Sequence, residues 1–155
     1  MKRILLATLV ALSLAGCASM GARLTDNERL EIHRSHAGEP VRSFNDFGNL
    51  YSWTALGDSA LAVWTRPNQA YLLELDGRCQ NLDFARTIGF SGQGGTVYAG
   101  MDNVIVRDRD GRDFPCRIRQ IRPLDVKAMK DAERSAGDSQ RDAGATRTQS
   151  SSGGT

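Results

Sequence analysis

Apolar and polar positions change character several times along the chain. Residues 4–14 are apolar except for Thr8 and Ser13, and Lys2 and Arg3 precede them. In TDNERLEIHRSHAGEP the apolar positions thin out to Leu30, Ile32 and Ala37. Thr25 followed by Glu28 has the spacing of a capping box, and Gly38 with Pro40 ends the pattern, which predicts a short helix over 26–35. From residue 41 to 124 the pattern becomes short runs of branched and aromatic residues separated by turn residues. Strands are predicted at 51–56, 60–65, 70–75, 85–90, 96–99, 104–107 and 116–122. Gly57-Asp58 and Arg66-Pro67-Asn68 supply turn chemistry between the first three. Tyr71, Leu73 and Leu75 alternate with Ala70, Leu72 and Glu74, so one face of that strand is wholly apolar and the other mixed. A polar hairpin tip falls at 108–113 and a short helix at 123–134.

This order predicts a mainly β fold: a small antiparallel barrel or sandwich of about seven strands, with a short N-terminal helix and a short C-terminal one. A βαβ arrangement is excluded because no helical period of adequate length separates the strands. The expected organisation is a leader at 1–16, a tether at 17–24, one β-rich domain at 25–130, and a Ser/Gly-rich tail at 131–155. The tail has too little to bury and is expected to be disordered.

The N-terminal run is too short to span a bilayer, which takes about 20 apolar residues. Its basic start, apolar middle and small residues Ala15 and Gly16 predict a secretory signal. Leu14-Ala15-Gly16-Cys17 resembles the lipobox of bacterial lipoproteins at all four positions. The resemblance implies that Cys17 is acylated and becomes the first residue of the mature chain. Two or three acyl chains anchor stably, at about 0.8 kcal/mol per buried CH2. In the Gram-negative lipoproteins that this segment resembles, an aspartate after the cysteine favours inner-membrane retention; by that resemblance Ala18 implies the outer membrane, with the domain on the periplasmic face.

Removing 16 residues takes Lys2 and Arg3 from the 20 cations and leaves a formally neutral chain against 18 acids. The overall charge of +2 is therefore no argument for a nucleic-acid partner. Of the three cysteines, Cys79 and Cys116 remain once Cys17 is assigned. In an oxidising compartment an even pair predicts a disulfide, closing a loop of about 38 residues with a stabilisation of roughly 4 kcal/mol. No CxxC spacing suggests redox or metal chemistry.

AGEPVRSF, LAVWTRPNQAYLLEL, LDFARTIGF, the Asp102-Asn103-Val104 segment and CRIRQIRPLD, with the two cysteines between and within them, resemble a family of small Gram-negative lipoproteins and secreted proteins that is known as a domain of unknown function. The resemblance covers residues 30–127. It implies fold and location and brings no activity, cofactor or catalytic residue.

Candidate chemistry is sparse. His33 and His36 share a helix face and could hold a metal if Asp26 or Glu31 joined them, which would allow a metal-dependent hydrolase. Two solvated histidines are the expected outcome, with no metal. Asp108, Asp110 and Asp113 miss the calcium-loop spacing and have arginines among them. The 107–122 stretch is rich in arginine, and Arg107, Arg117, Arg119 and Arg122 form the best candidate for anionic groups such as lipopolysaccharide phosphates or peptidoglycan carboxylates. Trp53, Trp64, Phe84 and Phe90 are expected in the core, with a stacking groove as the alternative. SGQGG lacks the lysine and helix of a phosphate loop, and Ser91 lies in no nucleophile elbow. The functional expectation is a lipid-anchored outer-membrane protein without enzymatic activity or cofactor, binding an envelope protein, peptidoglycan or lipopolysaccharide. An inhibitor of lysozyme-like enzymes, inserting loop 91–95 into a cleft, is the alternative.

Overall fold

The computed structural model describes residues 23–46 and 48–150, with side chains to residue 143. The chain runs α1 (Asp26–Ser35), β1 (Ser43–Asn45), β2 (Ser52–Ala55), β3 (Ala60–Arg66), β4 (Gln69–Leu75), a 3-10 turn at Leu82–Phe84, β5 (Thr87–Phe90), β6 (Thr96–Tyr98), β7 (Asn103–Arg107), β8 (Asp113–Leu124) and α2 (Val126–Ser150). Leu24–Ala136 form one compact unit, and the helical residues 137–150 belong to a second.

Two antiparallel sheets make the body. One pairs β1 with β6; the other runs β2-β3-β4-β8-β7-β5 and curls into a half-barrel. Its concave face carries Leu61, Val63, Leu73, Val104, Val106, Ile118 and Ile121, all at 0 % exposure, and Phe44 and Val97 of the small sheet close over them. Phe44 stacks on Tyr71 at 4.9 Å and meets Phe90 edge-on at 5.5 Å. The opposite face of β3 and β4 carries Ala60, Ala62, Ala70 and Leu72, packed with Leu30 of α1 and Val126 and Met129 of α2. These two strands are therefore buried on both sides, which explains their nearly continuous apolar sequence.

β8 holds the sheet together by changing partners along its length. Asp113 to Arg117 pair with β7, and Ile118 to Leu124 pair with β4. Beyond β7, the connection after α1 takes the free edge of β8: Gly38 N–H donates to Pro123 O and Val41 N–H to Ile121 O. Glu74, only 7 % exposed, lies between Arg34 at 2.9 Å and Arg119 at 3.6 Å. A buried carboxylate needs such partners, since an unpaired one costs several kcal/mol.

The helix over 26–35 forms at the predicted residues. The Thr25 side chain accepts from Glu28 N–H, and the Glu28 carboxylate accepts from Thr25 N–H, completing the capping box. The predicted strands form with shifts of a few residues, and β1 is an additional strand. The C-terminal helix is longer than expected. It runs to Ser150 rather than ending at 134, so the expected disorder from 131 gives way to helix, with 151–155 outside the described residues. Asp125 starts it by accepting from Ala128 N–H. The sequence beyond has no proline and sets Asp131–Arg134 and Asp138–Arg141 at ion-pair spacing. The leader, Cys17 and most of the tether lie outside the described residues.

Candidate functional site

The four candidate anion-binding arginines do not converge. Arg107 forms a two-pronged pair with Asp113 at 2.7 and 2.9 Å. Arg117 donates to Gly100 O at 3.0 Å. Arg119 faces Glu74. Arg122 donates to the carbonyls of Gly38 and Ala37 at 2.8 and 2.7 Å, clamping the connection after α1 to β8. Each guanidinium is thus occupied by the fold itself. The hairpin tip is closed in the same way: Asp108 accepts from the N–H groups of Asp110 and Arg112, and Arg112 pairs with both aspartates.

The two histidines are each engaged by their own helix. His33 Nδ1 donates to Arg29 O at 2.7 Å and His36 Nδ1 to Ile32 O at 2.8 Å. Among the described residues no three His, Cys, Asp or Glu side chains are placed to hold a metal ion. His33 is buried at 1 % exposure rather than solvated. Burial pushes its pKa below the usual imidazole value, against the raising effects of the Arg29 carbonyl and the Glu133 charge. The neutral ring, with its proton on Nδ1, leaves Nε2 as a buried acceptor without a hydrogen bond.

Cys79 and Cys116 are joined by a disulfide with their Cα atoms 5.5 Å apart. It links the chain leaving β4 to the middle of β8. The 91–95 turn is pinned at both ends: Ser91 N–H donates to Asn103 O, and Asp46 N–H donates to Gly95 O. Asp102 accepts from the Ser91 hydroxyl and from Tyr98 N–H, and the Ser91 oxygen accepts from Asn103 N–H. A Cβ at Gly92 would run into Thr96 O, so the turn needs glycine there.

The concave feature that gathers the most unspent chemistry is elsewhere, at the outer edge of the large sheet. β2 is an edge strand, and an open cleft of about 480 Å³ lies along it. Tyr51, Trp53 and Trp64 supply aromatic surface, and the Pro67-Asn68 turn closes one end. The opposite wall comes from the helices: Arg29 and His33 of α1, Lys130 and Glu133 of α2. Arg29 bridges the walls, donating to Thr54 Oγ1 at 3.2 Å. Glu133 Oε1 sits 3.8 Å from Arg29 Nε and 3.7 Å from His33 Nδ1. Those are electrostatic contacts only, and among the described residues Glu133 Oε1 accepts no hydrogen bond. Lys130 is exposed and has no ion-pair partner among the described residues.

The register explains how both tryptophans reach one cleft. Trp53 pairs with Val63 on the concave face, whereas Trp64 pairs with Ser52 on the helix-covered face. An edge strand has open space beside it, so side chains from both faces reach the rim. Both tryptophans are half-buried, Trp53 packed against the concave core and Trp64 against the helix-covered one, so the expectation of core residues holds in part. Phe84 departs further, at 79 % exposure, because the 3-10 turn carries it outside the sheet. Sequence reasoning missed Arg29, Lys130 and Glu133. No local signal marks them, since they lie on helices far along the chain from Tyr51 and Trp53.

A family model described as a family of unknown function (DUF6491) matches residues 1–140. No curated protein and no solved structure matches the chain.

Proposed function

The chain belongs to DUF6491, a family of unknown function, and we propose that it is a lipoprotein anchored in the outer membrane through Cys17. Its β-domain then stands in the periplasm as a non-enzymatic binding or structural module of the envelope. The observation that carries this reading is Leu14-Ala15-Gly16-Cys17 directly behind a basic start and an apolar run. The Cys79–Cys116 disulfide supports it, because such bonds persist in oxidising compartments. The lack of enzymatic activity is supported by the fate of the reactive side chains. The Ser91 hydroxyl is bonded to Asp102 and Asn103, and both imidazoles are bonded to carbonyls of α1. A serine nucleophile of the common kind needs an imidazole base and donors for the developing oxyanion, and among the described residues neither imidazole bonds to Ser91.

Intact-mass analysis of the protein from native membranes tests the reading. The expected species begins at Cys17 and carries a diacylglycerol mass, and Cys17→Ala leaves an unprocessed precursor. A free thiol on Cys17, or retention of residues 1–16, overturns it.

A further inference from the structure

The edge cleft has the chemistry of a carbohydrate site. It is open, so it cannot desolvate a purely apolar ligand, yet three aromatic side chains line it, Tyr51 at 65 % exposure and Trp53 and Trp64 half-buried. Aromatic surface at an open cleft matches the C–H faces of pyranose rings, whose edges stay hydrated or hydrogen-bonded. The polar wall fits the same ligand. Glu133 Oε1 is a buried acceptor without a hydrogen bond from the described residues, on a side chain 28 % exposed, and a shift of that carboxylate would let it accept from a sugar hydroxyl. Lys130 adds an exposed cation without an ion-pair partner among the described residues. Arg29 is already shared among Asp26, Glu133 and Thr54. Lys130 is therefore the group left to meet an anion on the ligand.

We propose that this cleft binds an acidic oligosaccharide, its pyranose rings lying against Tyr51, Trp53 and Trp64, a hydroxyl donating to Glu133, and a carboxylate meeting Lys130. The proposal deepens the envelope-binding reading and rests on it for the source of the ligand. Cell-wall glycan strands and lipopolysaccharide core both offer carboxylated sugars of this kind. A peptide added along the free edge of β2 is the competing occupant.

Tryptophan emission reports on the cleft alone, because the chain contains only Trp53 and Trp64. The full chain, purified from membranes in detergent, is titrated with four probes. These are a peptide-free disaccharide of N-acetylglucosamine and N-acetylmuramic acid, delipidated lipopolysaccharide core, neutral chitotetraose, and a cell-wall stem peptide without sugar. The expected result is a saturable emission change with at least one acidic glycan, and whichever binds identifies the source. Chitotetraose should bind about tenfold more weakly. Tyr51→Ala, at an exposed site, should weaken the acidic glycan about tenfold. Lys130→Gln should remove the preference over chitotetraose and the salt dependence that goes with it. The proposal is overturned if neither acidic glycan changes the emission, if both variants bind like the parent, or if the stem peptide alone binds along the cleft. An acylated protein that fails these titrations leaves the anchor reading standing. A protein that binds glycan but lacks acylation refutes only the anchor.

Discussion

The β7–β8 hairpin and the edge of β2 make an instructive pair. The first has the denser charge, and its arginines look like an anion site in the sequence. Yet Arg107, Arg117, Arg119 and Arg122 each have a partner in the fold, and two of them hold backbone carbonyls. The second has one arginine and one lysine, and it is the region where a cation, a carboxylate oxygen and three aromatic rings share a cleft with groups left over. Charge density therefore says little about binding until the internal partners are known. A guanidinium near the carbonyls of a connecting segment is a fastening, whereas a lysine at an open edge is available.

The largest test of that contrast is the crosslink, which lies on the hairpin side. Cys79→Ala with Cys116→Ala should lower unfolding free energy by roughly 4 kcal/mol in a denaturant titration. If the loss is below about 1 kcal/mol, β8 does not depend on the staple. The clamp comes next. Arg122→Ala removes two charge-assisted bonds to Ala37 and Gly38 and should cost about 2 kcal/mol. The same titration gives the answer, and an unchanged midpoint would place Arg122 among the available cations instead.

On the cleft side, His33 makes stability depend on pH. Its folded pKa lies below the unfolded value of 6.5. Between the two values the unfolded chain binds the additional proton, so stability rises with pH through the window just below 6.5 and levels off above it. The slope from this one group is at most about 1.4 kcal/mol per pH unit. His33→Gln should flatten it, and a slope that survives the substitution belongs to another residue. The smallest effect is expected from Arg107→Ala. That pair with Asp113 lies at the surface, with both side chains exposed, so the unfolding midpoint should stay within experimental error. A clear shift would mean that the hairpin ion pairs matter more to the fold than their exposure suggests.

Much of the architecture was legible because its signals are local. Thr25 and Glu28 mark α1 within one helical turn. Pro67-Asn68 marks the β3–β4 hairpin, where Arg66 pairs with Gln69. β1 was not legible. Ser43–Asn45 is three residues long, and its pairing with β6 lies some fifty positions ahead in the chain. β8 begins at Asp113 rather than the expected 116, and Pro115 fits within it opposite Ile105, on a stretch that pairs with β7 and not with β4. The disulfide was legible from cysteine parity. The cleft was not, because its aromatic wall comes from one hairpin region while its polar wall comes from helices at opposite ends of the body.

The alanines beneath those helices carry a consequence for the cleft. Ala60, Ala62 and Ala70 are buried, and they pack with Leu30 of α1 and with Val126 and Met129 of α2 as a small-residue floor. Arg29, His33, Lys130 and Glu133 ride on the same two helices. A valine at Ala60, whose ladder partner is Glu74 rather than a residue of the cleft, would press on that helix layer and widen the gap to the aromatic rim. The aperture of the cleft is gauged from the far side of its own wall.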